Sequence, residues 1–187
     1  MTHGEPLIMS FEAKDGTSVK LRPAKVEDAE QIVKSSEDIV AAGKYLQKES
    51  PKTVEQERDF IKKARERGHM YTAVEIEGQV VGIARILREQ LEMKKHVGKF
   101  RTWLSPDAQG KGIGKKIMEY TIEWAKQNDL HKVWLTVFAH NVGACKLYER
   151  YGFVTEGNQK EQVIIDGEFQ DEVFMAYFVQ KQREQVQ

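Results

Sequence analysis

Three glycines at alternate positions, Gly110, Gly112 and Gly114, stand where one residue pattern gives way to another. Upstream, Val97–Leu104 is rich in β-formers, and Pro106 stops the run. Downstream, positions 113, 117, 120, 121 and 124 of Ile113–Gln127 fall on one stripe of a helix that can face a sheet. A strand that turns through glycine into a helix lets the main chain approach a ligand closely. It also leaves the first amides of the helix unpaired. The turn therefore has two readings: a tight connection that needs glycine for shape alone, or a cradle for an anion.

The neighbouring charges favour the cradle. Lys115 and Lys116 fall in the first turn of the helix and Lys111 lies just before it. Cations there oppose the helix dipole, at about 0.3–1 kcal/mol each when exposed. Several such placements in one spot suggest a compensating partner, and a bound polyphosphate would serve. The spacing is not that of a P-loop, and Gly114 comes one residue too early for the dinucleotide-binding fingerprint.

The rest of the chain supplies a frame for this turn. Short strands are expected over 7–11 and 19–22, joined at Asp15-Gly16, with Pro23 ending the second. Helical spacing marks 26–39 and 54–67, with a loop or short helix over 41–51 between them. Strands follow over 70–76 and 80–87 around Glu77-Gly78, then Val97–Leu104. After the long helix come a strand over Lys132–Phe138, a short helix over 142–151 and a last hairpin, 153–165 and 168–179, turning at Asp166-Gly167. Asn141 suits the N-cap of the short helix and Gly152 its C-terminal cap. This order predicts one α/β (mixed α+β) domain over 1–187, with a core of about 17–180 and a polar tail after 180.

The turn Gln109-Gly110-Lys111-Gly112-Ile113-Gly114 resembles the Gln/Arg-x-x-Gly-x-Gly/Ala signature of the GCN5-related N-acetyltransferases. The run from Asn141 to Phe153 resembles that family's Asn-x-x-Ala-x-x-x-Tyr-x-x-x-Gly-Phe pattern, with Ala144, Tyr148 and Gly152 at the matching positions. Without the glycine motif, Ala144, Leu147, Tyr148 and Tyr151 would read as a buried helix face and Asn141 as a cap. The two motifs occur in the family's order, joined by a helix and a strand.

The resemblance implies a central mixed, mostly antiparallel sheet flanked by helices, with a splayed strand pair at an acetyl-CoA site. It implies that the amides from Gln109 to Gly114, with Lys111 and Lys115, hold the coenzyme pyrophosphate. It places Leu104 and Trp103 at the acetyl end and Asn141 at the pantetheine arm. Tyr148 takes the part of the acid that protonates the departing thiolate, a useful role because a free thiol has a pKa of about 8.5. The implied reaction is direct acetyl transfer to a primary amine in a ternary complex. The acceptor is expected to be a small molecule such as an amino acid, polyamine or amine antibiotic. Alternatives are a protein N-terminal or lysine acetyltransferase and a silent acyl-CoA-binding module.

One position departs from the pattern. Lys99 stands where many relatives carry a carboxylate that helps deprotonate the amine. Glu89, Glu92 and Glu172 are candidates by location only, each read more readily as an ordinary surface carboxylate. Cys145 is set on a different helical face from Tyr148 and read as inert. His3, His69, His96, His131 and His140 show no zinc-ligand spacing, so no metal is expected.

Composition bounds the partners. The 29 basic and 29 acidic residues cancel, which disfavours nucleic acid as a partner even with Lys111, Lys115 and Lys116 together. No apolar run is long enough to span a bilayer, and the N-terminus lacks a secretory pattern, so a cytoplasmic protein without a membrane partner is expected. A homodimer is an expectation of the family resemblance alone.

Overall fold

The computed structural model describes residues 5–42 and 52–180. Two strands, β1 (Met9–Glu12) and β2 (Ser18–Pro23), lead into two helices, α1 (Ala29–Ala42) and α2 (Val54–Glu66). Strands β3 (Met70–Ile76), β4 (Gln79–Arg88) and β5 (Val97–Leu104) then run as a meander. Helix α3 (Ile113–Gln127), strand β6 (Lys132–Phe138) and helix α4 (Val142–Arg150) follow, before the hairpin of β7 (Val154–Ile165) and β8 (Glu168–Phe178).

Several boundaries agree with the sequence patterns and others shift for local reasons. Residues 26–28 form a 3-10 turn rather than the first turn of α1. There the Asp28 carboxylate accepts from the Lys25 amide at 2.7 Å and from the two terminal guanidinium nitrogens of Arg22 at 2.7 and 2.9 Å, which tightens the entry. Helix α2 starts at a capping box, in which Thr53 and Gln56 exchange side-chain and backbone hydrogen bonds. The first strand starts at Met9, two residues later than expected. Of the segment 41–51, residues 41 and 42 end α1; residues 43–51 and the tail 181–187 lie outside the described residues.

The eight strands form one sheet in the order β1-β2-β3-β4-β5-β6-β8-β7. Every neighbouring pair is antiparallel except β5 and β6. That parallel pair joins at three positions only, Val97 to Lys99 against Lys132 to Trp134. Beyond them β5 stays on β4 as far as Leu104 opposite Gly82, while β6 stays on β8 as far as Phe138 opposite Glu172. The sheet therefore splits down its middle, the expected splayed pair.

Each face of the sheet has its own core. On one, α3 buries Ile113, Ile117, Met118 and Tyr120 against Phe100, Val133, Leu135 and Met175, with Leu147 and Tyr148 of α4 packed alongside. On the other, Ala29 and Ile32 of α1 and Ile61 and Ala64 of α2 close over Tyr71, Ala73 and Ile83, with Trp103 at the margin. Strand alternation then assigns the residues of β5. Phe100, Thr102 and Leu104 belong to the α3–α4 face, and Lys99, Arg101 and Trp103 to the α1–α2 face.

Candidate active site

Where β5 leaves β6, a cleft of about 460 Å³ passes between them. Its wall takes Phe100, Leu104 and Leu135 from the α3–α4 face and Arg101, Trp103 and Thr136 from the other. Residues assigned to both faces of the sheet thus border it. Ile39 of α1 borders it as well.

The glycine turn lies at the α3–α4 mouth. Gly110 and Gly112 take φ values of +74° and +80°, which an L side chain adopts only at a cost. Gly114 is helical; a Cβ there would meet Leu147 Cδ2 at 3.2 Å, so this glycine lets α3 and α4 approach. The turn leans on the first hairpin, where the Lys14 amide donates to the Lys111 carbonyl at 3.0 Å. Gln109 latches the turn to the strand, its Nε2 donating to the Leu104 carbonyl at 3.0 Å. No side chain caps the N-terminus of α3, and no acidic residue sits in its first turn. A phosphate-bearing ligand suits these amides.

The lysines need a revised account. Lys111 Nζ pairs with Asp15 at 3.0 Å, and Lys116 Nζ pairs with Glu119 at 2.8 Å. Two of the three cations thus have carboxylate partners inside the chain, and a bound anion is not needed to explain them. The sequence pattern missed Asp15 because it is distant in the chain.

Of the residues read from sequence as a site, Trp103, Leu104, Gln109, Gly114, Asn141 and Tyr148 all border the cleft. Gly110, Lys111 and Gly112 belong to the adjoining turn, and Lys115 to the start of α3. The Ile113 side chain is buried in the core, so only its main chain faces the turn. Asn141 caps α4, its Oδ1 accepting from the Ala144 amide at 3.3 Å. Gly152, at φ +92°, follows the end of that helix.

Tyr148 packs its ring among Phe100 and Phe153. Burial, with a smaller push from the neighbouring Cys145, raises its phenol to about 12, so it is protonated at neutral pH. That coupling corrects the sequence reading of Cys145: residues three apart on a helix are neighbours, not on separate faces. The thiol is itself pushed up, by burial first and then by Glu149, which disfavours the thiolate a covalent route requires.

Glu172 also departs from its sequence reading as a surface carboxylate. It is buried on β8 opposite Phe138, and its charge acts on Lys99. Glu92 is exposed and pairs with Lys95. Lys99 lies over the Trp134 ring, 4.6 Å from its centroid. Sequence reasoning passed over Gly82, where a Cβ would strike the Trp103 carbonyl at 2.3 Å. A lone glycine in a strand pattern was the available signal. Arg101 was equally legible, since it alternates with Trp103.

Among the described residues no group of three or more His, Cys, Asp or Glu side chains could hold a metal ion. Nor is any helix among them long and apolar enough to cross a membrane.

Residues 39–153 match the model of the acetyltransferase (GNAT) family. The chain belongs to the GNAT family. Relatives of this GNAT chain include the L-amino acid N-acetyltransferase AaaT of Escherichia coli (strain K12), 32% identical over 54% of this chain and 63% of that protein. The spermidine N(1)-acetyltransferase of Vibrio cholerae is 36% identical over 38% of this chain and 42% of that protein. Each match spans less than two thirds of the relative. A GNAT phosphinothricin acetyltransferase from Sinorhizobium meliloti, solved in complex with AcCoA, superposes with a TM-score of 0.80. It covers 89% of this chain and 94% of that one at 21% identity, a likeness of fold.

Proposed function

We propose that this GNAT protein transfers the acetyl group of acetyl-CoA to the primary amine of a small molecule by direct attack. The observation that carries the reading is the cleft at the split between β5 and β6, with the glycine turn beside it and Tyr148 in its wall. Family membership supports the donor, and the named activities of the two relatives support an amine acceptor.

Acetyl-CoA brings a thioester whose carbonyl carbon accepts the amine as the C–S bond breaks. The chain supplies the positioning. The amides from Gln109 to Gly114 suit the pyrophosphate, and the β5 main chain facing the split suits an extended pantetheine arm. Tyr148 keeps its proton at neutral pH and so has one to give to the departing sulfur. The incoming amine, with a pKa of about 10 in water, must lose a proton. Among the buried carboxylates of the α1–α2 face, Glu57 is held by Tyr71 and Asp28 by Arg22, and we read Glu172, opposite Phe138 of the cleft wall, as the group for that task. Two substrates entering from opposite faces of the sheet need no covalent enzyme intermediate, in keeping with the raised Cys145 thiol.

A thiol-release assay with acetyl-CoA and a panel of primary amines tests the reading. Free coenzyme A should appear only when an acceptor is present, alongside the N-acetyl product. Binding of acetyl-CoA without turnover on any amine would reduce the protein to an acyl-CoA-binding module.

A further inference from the structure

The turn between β1 and β2 is seated on the glycine turn. Its own main chain is closed, with the Ala13 amide donating to the Thr17 carbonyl at 2.8 Å and the Gly16 amide to the Ala13 carbonyl at 3.0 Å. Ala13 is buried in the same core as Ile113 of α3, which anchors the turn. From this fixed base the Lys14 amide reaches the Lys111 carbonyl at 3.0 Å. The exposed Lys14 side chain then runs along Gly112. A Cβ placed on Gly112 would lie 3.2 Å from Lys14 Cε, 3.3 Å from Cγ and 3.6 Å from Cδ. Gly112 is the N-cap of α3. The Lys14 ammonium, one bond beyond Cε, therefore lies beside the start of that helix.

The neighbouring charges have settled partners. Lys111 is paired with Asp15 at 3.0 Å and Lys116 with Glu119 at 2.8 Å. Asp15 stays ionised, because hydrogen bonds from Thr17 first, and then Lys111, lower its carboxyl to about 2. Lys111 is thus a strut between the two turns. Lys14 makes its contact with the glycine turn through its amide and its methylene stem. That stem leaves the ammonium next to the unpaired amides of the helix. A cation beside a helix N-terminus opposes the dipole there, whereas a phosphate group is attracted by both the amides and the cation.

We infer that Lys14 is a phosphate contact of the coenzyme, carried to the glycine turn by the first hairpin. The match to the family model begins at residue 39, so this side chain lies outside the matched segment. A lysine meets phosphate as a point charge on a flexible stem, and the stem is here laid along the turn before any ligand arrives. Main-chain amides from α3 and an ammonium from the hairpin then approach one anion from two elements. The inference rests on the acetyl-CoA reading and adds to it a residue that selects for the phosphate-bearing end of the donor.

The test compares two donors, acetyl-CoA and S-acetylpantetheine, which carries the same thioester and arm without the phosphates. In the full chain, Lys14→Gln should raise KM for acetyl-CoA by about 10-fold, between the worth of an exposed ion pair and that of a hydrogen bond to a charged group. Its kcat and its KM for S-acetylpantetheine should not change, and Lys14→Arg should restore most of the acetyl-CoA affinity. The acetyl-CoA effect should shrink as salt is raised. An unchanged KM for acetyl-CoA in Lys14→Gln would overturn the inference and leave acetyl transfer standing. An equal rise for both donors would also overturn it, since Lys14 would then act through the packing of the turn. A second measurement needs no substitution. Coenzyme A should protect Lys14 of the unaltered protein from reductive methylation, read by peptide mass mapping, and pantetheine should not. Equal modification with either would overturn the inference. Failure of the unaltered protein to bind or turn over acetyl-CoA at all would overturn the donor reading with it.

Discussion

The ring of Tyr148 meets the ring of Phe100 edge-on, with centroids 6.4 Å apart and planes at 84°. The contact sets α4 against β5 beside the point where β5 parts from β6. Packing of the ring, not the hydroxyl, fixes the position of Tyr148.

Tyr148→Phe should therefore fold normally, bind acetyl-CoA as before and lose turnover by about 10²–10⁴-fold. Tyr151→Phe is the control. Its hydroxyl donates to Glu119 at 3.3 Å, away from the cleft wall, and its loss should cost at most about 1 kcal/mol of stability. Steady-state turnover, calorimetric binding and thermal midpoints of both variants check this. Near-normal turnover in Tyr148→Phe would remove the acid role.

The same phenol gives a pH dependence. Tyrosines in the unfolded chain titrate at about 10, whereas Tyr148 in the folded chain titrates at about 12. The folded state thus holds the extra proton, so stability is full below pH 10 and falls as pH climbs towards 12. Tyr71 and Tyr120 are raised in the same direction, so they share the effect. Denaturant unfolding at pH 7 and pH 11 should show a smaller alkaline loss for Tyr148→Phe than for the unaltered protein. An equal loss would mean that the phenol titrates normally.

Two glycines of the turn should fail for different reasons. Gly112→Val forces a β-branched residue to φ +80°, at about 1–2 kcal/mol. Gly114→Val drives methyl groups into Leu147 across the α3–α4 contact, at about 1–3 kcal/mol. Both should abolish the rise in thermal midpoint that acetyl-CoA gives the unaltered protein. Gly114→Val with Leu147→Ala should recover stability before it recovers binding. Thermal scans with and without acetyl-CoA read both effects.

Asn141 has a structural role whatever else it does. Asn141→Ala removes the cap of α4 and should cost about 0.5–2 kcal/mol. Asn141→Ser keeps a capping oxygen and should keep most of that stability. If the amide also touches the pantetheine arm, acetyl-CoA affinity falls in both variants, and calorimetry separates the two roles.

Legibility in the sequence followed the range of the interactions. Strand β5, helix α3 and strand β6 ended where their residue patterns end, because proline, glycine and strand alternation act locally. Tyr148 and Asn141 could be singled out because the run from Asn141 to Phe153 keeps a fixed spacing, and both border the cleft. Residues joined only by the sheet were missed. Asp15 meets Lys111 through the first hairpin, and Arg85 comes opposite Arg101 through the register of β4 on β5. Glu172 looked like a surface residue because its burial depends on neighbours from other strands. The 3-10 entry to α1 was hidden for the same reason, since Arg22 holds Asp28 from the preceding strand.

The split between β5 and β6 gives the two mouths of the cleft different evolutionary freedom. On the α3–α4 side the proposed donor meets mostly main chain, held by glycines and a strand edge, and such recognition is indifferent to most side-chain changes. On the α1–α2 side the wall is made of side chains such as Arg101, Trp103 and Thr136, and exchanging these leaves the main-chain ladder of β4 on β5 in place. A lineage can thus drift from one amine to another by altering one wall of a doorway while the other keeps its shape.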